Sequence, residues 1–393
     1  MKAKTMIVFL FLFSLINLNS CKYTGPRAGV PNQIRAMFIE DPAHNIRIGW
    51  QYFPKSDEAD VIAFGEVDHG QNFEAYPHKI QVQKTTDYKG VKSSFVRLND
   101  LKPDTRYYFV IKNSFGVSRR FYTHTLPEDI NTRISIVAGG DSRNNRVPRQ
   151  AANLLVAKLK PHFVYFGGDM TNLGFGPEWH EWLEDWQMTI TEDGRVTPIV
   201  AARGNHERGN FILEELFDLP ASNYYAFTVA GGLIRTYVLN SEAAIAGDQT
   251  NWFEGDLKEN QDAIWKLAIY HKPIRPHVSK KKEGTNTYTY WAPLFYKYGM
   301  DLVVESDAHT VKSTYPIRPD LSASSDEGFI RDDVNGTVFV GEGCWGAPLR
   351  AANDLKSWTR DTGSFNQFKW IFIDQSKMEV RTVKVDNASF VEE

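Results

Sequence analysis

The sequence predicts two folded units, an all-β sandwich followed by an α/β domain built on parallel strands. Three observations predict them. Short alternating segments without a long helical period fill the chain from Pro31 to about Leu126. A β-α-β pattern follows, in which two apolar runs flank a helical one. Each of those runs ends in Gly-Gly-Asp, which puts an acid where open α/β sheets hold their ligands.

In the first unit Ile46, Ile48 and Trp50 alternate with Arg47, Gly49 and Gln51, so the spacing predicts a strand with one apolar face. Pro103 sets a turn just before a strand over Tyr107, Tyr108, Phe109 and Val110, a segment that resembles the tyrosine corner of fibronectin type III domains. Leu126-Pro127-Glu128-Asp129 reads as a linker. In the second unit Ile134 to Ala138 is a strand, and Pro148 to Lys160 is a helix presenting Ala151, Leu154, Leu155 and Leu159. Phe163 to Phe166 is the next strand, and Val196 to Ala201, Trp265 to Tyr270 and Leu302 to Glu305 repeat the pattern. Thr337 to Val340, Trp370 to Ile373 and Val380 to Val385 form a second set. Trp179, Trp182 and Trp186, at helical spacing, read as packing against the sheet more readily than as a roof over a site; Trp345 likewise reads as core.

The opening segment reads as an export signal, because Lys2 and Lys4 precede an apolar stretch from Met6 to Leu18 that is too short to span a bilayer. It ends in Leu18-Asn19-Ser20-Cys21, which resembles the lipobox of bacterial lipoproteins and implies a lipid anchor on Cys21 and a periplasmic or cell-surface location. The domains expected are a signal peptide over 1–20, a linker over 21–30, the sandwich over 31–126 and a catalytic domain over 132–386. With Cys21 lipidated only Cys344 remains, so no disulfide within the chain is expected. A formal net charge of −3 gives no reason to expect a nucleic-acid partner. The one basic run, Lys280-Lys281-Lys282, reads as a solvated loop.

Collecting the polar residues at the strand ends gives Asp141, Asp169, Asn205 with His206, His271, and Asp307 with His309. Carboxylate, imidazole and amide together suit divalent first-row metals, manganese, iron or zinc. A single Gly-Asp after a strand is ordinarily a turn. Five such motifs in series, with Gly204-Asn205-His206-Glu207 the most specific, resemble the calcineurin-like metallophosphoesterases, and the sandwich in front of them resembles a purple acid phosphatase.

The resemblance implies a four-layer α-β-β-α catalytic fold and hydrolysis of small phosphate monoesters by a hydroxide bridging two metal ions. It implies that Asp141 and His309 hold one ion, that Asp169 bridges both, and that Asn205 and His271 hold the other, with His206 contacting the phosphate or protonating the leaving group. Three positions depart from the pattern. Asp307 stands where the family's double-histidine motif has its first histidine, and a carboxylate can ligate the same class of cation. Asn172 stands where purple enzymes place the tyrosine that binds iron, which implies a colourless protein with divalent metals. Arg143 stands where relatives carry Gly or a metal-binding His. Guanidinium cannot ligate a cation, so Arg143 reads either as a grip on phosphate or as the partner of a nearby acid. His277 is a weaker catalytic candidate, for substrate contact, and reads more readily as a surface residue. The residues leave open a phosphodiesterase or nucleotidase on the same fold, and a binding lipoprotein whose catalytic core has decayed.

Overall fold

The computed structural model describes residues 29–52, 59–322 and 327–386. The leader and Cys21 lie outside the described residues, and among the latter no helix is long and apolar enough to cross a membrane.

The N-terminal sandwich packs Asn32–Met37, Ile46–Gln51, Val91–Leu98 and Lys84–Tyr88 against a second sheet of His78–Gln81, Val61–Gly65, Arg106–Asn113, Gly116–Val117 and Phe121–His124. Ile48, Trp50, Ile62, Phe109 and Ile111 meet in its core. The tyrosine corner is present: the Tyr107 hydroxyl accepts the Lys102 N–H at 2.9 Å.

Ile46–Gln51 differs from expectation, because all six of its residues are buried. The face expected to meet water turns toward the second unit, whose helix Asn210–Phe217 packs on the neighbouring strands Lys84–Tyr88 and Val91–Leu98. Asp218, which ends that helix, is gripped by Arg47, Lys84 and Arg97 at 3.1, 2.9 and 3.0 Å. Beside them Arg35 donates to the Leu216 carbonyl at 2.7 Å. A polar side chain at a buried position is sustained here by partners that lie more than a hundred residues away.

The two units also share a sheet. Met37 pairs in parallel with Ile199, so one sheet runs from Met378–Lys384 through Gln367–Ile373, Ile134–Gly139, Phe163–Phe166 and Ile199–Ala201 into the sandwich strands. A second sheet orders Tyr225–Val229, Ile234–Val238, Trp265–Ile269, Leu302–Glu305, Val338–Gly341, Val311–Thr314 and Thr359–Gly363. The two sheets meet face to face, with Phe163 against Phe227 and a 2.6 Å hydrogen bond between the hydroxyls of Tyr165 and Thr236 across the seam. Helices cover both outer faces: Arg146–Leu159 and Gly176–Trp186 on the first, Asp248–Glu259 and Ala292–Lys297 on the second.

Helix Arg146–Leu159 turns Ala152, Leu155 and Val156 inward and leaves Leu154 42% exposed, a rotation away from the face its leucines suggest. Buried Arg149 and Asn153 cause it, because Asp185 on the neighbouring helix accepts from both. Trp179, Trp182 and Trp186 are fully buried and pack around Phe166 and Phe217. Trp345 is core as well, against Trp186 and Phe368.

Candidate metal centre

Parallel strands of both sheets end on one side of the molecule. Asp141 follows Ile134–Gly139, Asp169 follows Phe163–Phe166, Asn205 and His206 follow Ile199–Ala201, His271 follows Trp265–Ile269, and Asp307 and His309 follow Leu302–Glu305. The loops approach closely because of glycine: a Cβ on Gly140 or Gly167 would lie 2.6 or 2.2 Å from Ser306 Oγ of the facing sheet. Asp141, Asp169, Asp307 and His309 all take left-handed backbone, with φ of 57, 55, 64 and 57°. That conformation costs on the order of 1 kcal/mol per residue and persists where surrounding bonds fix it. Here the Asp141 N–H donates to Gly168 O at 2.9 Å and the His309 N–H to Glu342 O at 2.8 Å.

The side chains converge. Ligand atoms of Asp141, Asp169 and His271 lie within 4.8 Å of one another, and all three residues are buried. His309 Nε2 is 3.0 Å from Asp141 Oδ1, and His271 Nε2 is 3.2 Å from Asn205 Oδ1 and 3.3 Å from Asp169 Oδ1. Both imidazoles have a fixed tautomer, since His271 Nδ1 donates to Gly167 O at 2.7 Å and His309 Nδ1 to Pro348 O at 2.9 Å, and a carbonyl can only accept. With neutral rings each Nε2 points its lone pair at oxygen atoms that also carry lone pairs, so either a cation or a proton must stand between them. Asp169 Oδ2 is buried with no hydrogen bond. Acceptor facing acceptor is relieved by a cation between them, so the residues fit divalent ions. The same crowding acts on protons. Burial disfavours a charged His271, but Asp169 and Asp141 outweigh it and raise its pKa well above the ordinary imidazole value. Burial would likewise lift Asp169, and the charges of His271 and Arg143 hold it below the usual carboxylate range.

Residues 123–311 match the calcineurin-like phosphoesterase family, and residues 31–125 match the purple acid phosphatase N-terminal domain. The chain thus carries a calcineurin-like phosphoesterase domain behind a purple acid phosphatase N-terminal domain. It is 24% identical to purple acid phosphatase 21 of Arabidopsis thaliana, over 67% of this chain and 63% of that one. It is also 24% identical to human acid phosphatase type 7, over 56% and 57% of the two. The chain thus spans about 63% of the length of the curated relatives it matches first. The purple acid phosphatase PPD1 from yellow lupin seeds superposes with a TM-score of 0.75 at 15% identity, covering 92% of this chain and 73% of that one, a likeness of fold.

The three departures from the family pattern have structural partners. Arg143 Nη2 stands 3.1 Å from Asp169 Oδ2, and its Nη1 donates to Asn172 Oδ1 at 3.0 Å. Asn172 thus spends its amide oxygen on Arg143, while its backbone carbonyl accepts from His206 Nδ1. Asp307 is 3.6 Å from His271 Nε2, but its Oδ1 accepts from Lys281 Nζ at 2.6 Å. The Lys280-Lys281-Lys282 run is therefore not simply solvated. Lys281 and Lys282 line a cavity of about 800 Å³ that opens onto Arg143, Asn205, His206 and Asp307.

His277 is neither on the surface nor in that cavity. It is fully buried, with Nε2 2.7 Å from Thr359 Oγ1 and its ring edge-on to Trp358. The aromatic wall that excludes water there was invisible to local spacing. Two further residues, neither given a role from the sequence, support the site. Glu207, inside the Gly-Asn-His-Glu motif, accepts backbone N–H groups of Asp169, Met170 and Gly204 at 2.9, 2.8 and 2.7 Å and so ties two metal-side loops together. Burial lifts its carboxyl up to about 7, with the charge of Asp169 adding to the effect. Arg350 donates to the carbonyls of Asp307 and Ala308 at 3.0 and 3.2 Å, bracing the loop that carries His309.

Proposed function

We propose that the chain hydrolyses phosphate monoesters at two divalent ions, with Asp141 and His309 on one, Asn205 and His271 on the other, and Asp169 between them. The observation that carries this reading is the pair of histidines whose Nδ1 protons are committed to backbone carbonyls, leaving both Nε2 atoms aimed at carboxylates. The ions, when bound, supply Lewis acidity and positive charge toward the phosphate and its attacking water. Arg143, at the cavity mouth, offers a planar guanidinium fork to phosphate oxygens. His206 is 21% exposed and lines the cavity; as an imidazolium it keeps the Nδ1 proton on Asn172 O and gives the Nε2 proton to the departing alkoxide, leaving the neutral ring. Asn172 provides no tyrosinate, so the metal-loaded protein is colourless.

The test compares p-nitrophenyl phosphate with bis(p-nitrophenyl) phosphate in manganese, zinc or iron. Monoester turnover at least about tenfold faster supports the reading; preference for the diester moves the chain to the phosphodiesterases. A second reading, a non-catalytic binding protein, is favoured by one observation: Arg143 and Lys281 sit against Asp169 and Asp307, where ions would otherwise compensate the charge. We also propose export and lipid anchoring through Cys21; Cys21→Ser should release the protein from the membrane fraction, and persistence there would reject the anchor.

A further inference from the structure

The cavity beside the metal centre carries more positive charge than one phosphate needs. Five cations line it, Arg143, Lys272, Lys281, Lys282 and Arg350, against two carboxylates, Asp307 and Glu283, although the chain as a whole is acidic at −3. The carboxylates are already engaged: Asp307 by Lys281 at 2.6 Å, and Glu283 by Arg275 at 3.6 Å. Lys272 is held by Glu242 at 2.8 Å. Arg143 faces Asp169 and the phosphate site. Lys282 and Arg350 remain. Among the described residues neither has a carboxylate within ion-pair distance, and Arg350 meets only backbone carbonyls through Nη1. At about 800 Å³ the cavity is of the size that encloses a whole small-molecule ligand, far larger than a phosphate group. Uncompensated cations lining a cleft focus positive potential and hold anions.

Building on the phosphoesterase reading, we propose that Lys282 and Arg350 form a second anion subsite, and that the substrate is a phosphate ester whose leaving group carries another phosphate or comparably charged group. One phosphate sits at the ions and Arg143. The second bridges the cavity to Lys282 and Arg350, where a guanidinium fork and an ammonium give two kinds of contact to its oxygens. Binding energy from this remote group orients the scissile phosphate. Lys282 is the better probe, because Arg350 also braces the His309 loop.

Isothermal titration of the metal-supplemented protein with propane, butane and hexane diphosphonates, each beside the matching alkyl monophosphonate, reads the subsite without turnover. The best diphosphonate should bind at least about fivefold tighter than its monophosphonate, and Lys282→Glu should reduce that ratio to near unity. A ratio below about fivefold at every length overturns the subsite, as does a Lys282→Glu variant that weakens both ligands equally. Turnover of a sugar bisphosphate and the corresponding monophosphate separates the two claims. No hydrolysis of either, with the diphosphonate preference intact, rejects the phosphoesterase reading and leaves the subsite standing. Hydrolysis of both at equal kcat/KM, with no diphosphonate preference, does the reverse.

Discussion

Two knots of buried charge meet at the end of the strand Leu302–Glu305, Glu305 belonging to one and His309, four residues on, to the other, and they differ in whether they close. In the first, Lys312 Nζ donates to Glu305 Oε2 and Glu342 Oε1, both at 2.7 Å, and to Arg275 O at 3.0 Å. Tyr270 fills another position on Glu305 at 2.7 Å, so the ammonium spends all three protons. In the second, Asp141, Asp169, His271 and His309 bring acceptors together and leave Asp169 Oδ2 without a hydrogen bond, its closest cation being Arg143 at 3.1 Å among the described residues. Side chains alone complete the closed knot. In the proposed function the open one takes cations, and the contrast would then mark which cluster is structural and which is chemical. They are also connected, because the Glu342 carbonyl accepts the N–H of His309.

Breaking the open knot should have the largest effect. Asp169→Asn removes the carboxylate that both proposed ions share, and kcat on p-nitrophenyl phosphate should fall by roughly 10⁴-fold, about 5 kcal/mol of barrier. A fall under about tenfold would show that Asp169 is not shared. Breaking the closed knot acts on stability instead. Lys312→Met leaves two buried carboxylates uncompensated and should cost about 3–5 kcal/mol in urea unfolding, with part recovered when Glu342→Gln is added. If the single variant is as stable as the parent, the ammonium is not what holds those acids.

Histidines sharpen the contrast by a smaller margin. The open knot raises His271, whereas burial first and Lys312 second push His277 down to about 3. The unfolded imidazole takes its proton near 6.5, so the unfolded state binds more protons below that pH. Stability from His277 is therefore complete above about pH 6.5 and drains as pH falls toward 3, by on the order of 1 kcal/mol per unit. The Tm of His277→Gln should decline less than that of the parent between these limits; parallel declines would remove His277 from the acid response.

Much of this was legible in the sequence, and the limits have physical causes. Asp141, Asp169, His271 and His309 could be read because each follows an apolar run that a parallel strand requires, with glycines marking close approach at the first two. The sandwich was legible from alternation, but not its second buried face, since Asp218 and the helix that packs beside it lie far along the chain. Leu154 misled because the helix turns on Arg149 and Asn153, and local spacing does not reveal that Asp185 accepts from both. Lys281 reads as solvent-facing until the fold places Asp307 against it, and nothing in local spacing pairs Lys312 with Glu305 and Glu342.

Metal analysis of the purified protein after supplementation tests the central claim most directly. About two equivalents of transition metal per chain, falling sharply in Asp169→Asn, is the predicted result. Less than one equivalent in the parent, with Arg143 and Lys281 satisfying the carboxylates instead, would contradict it.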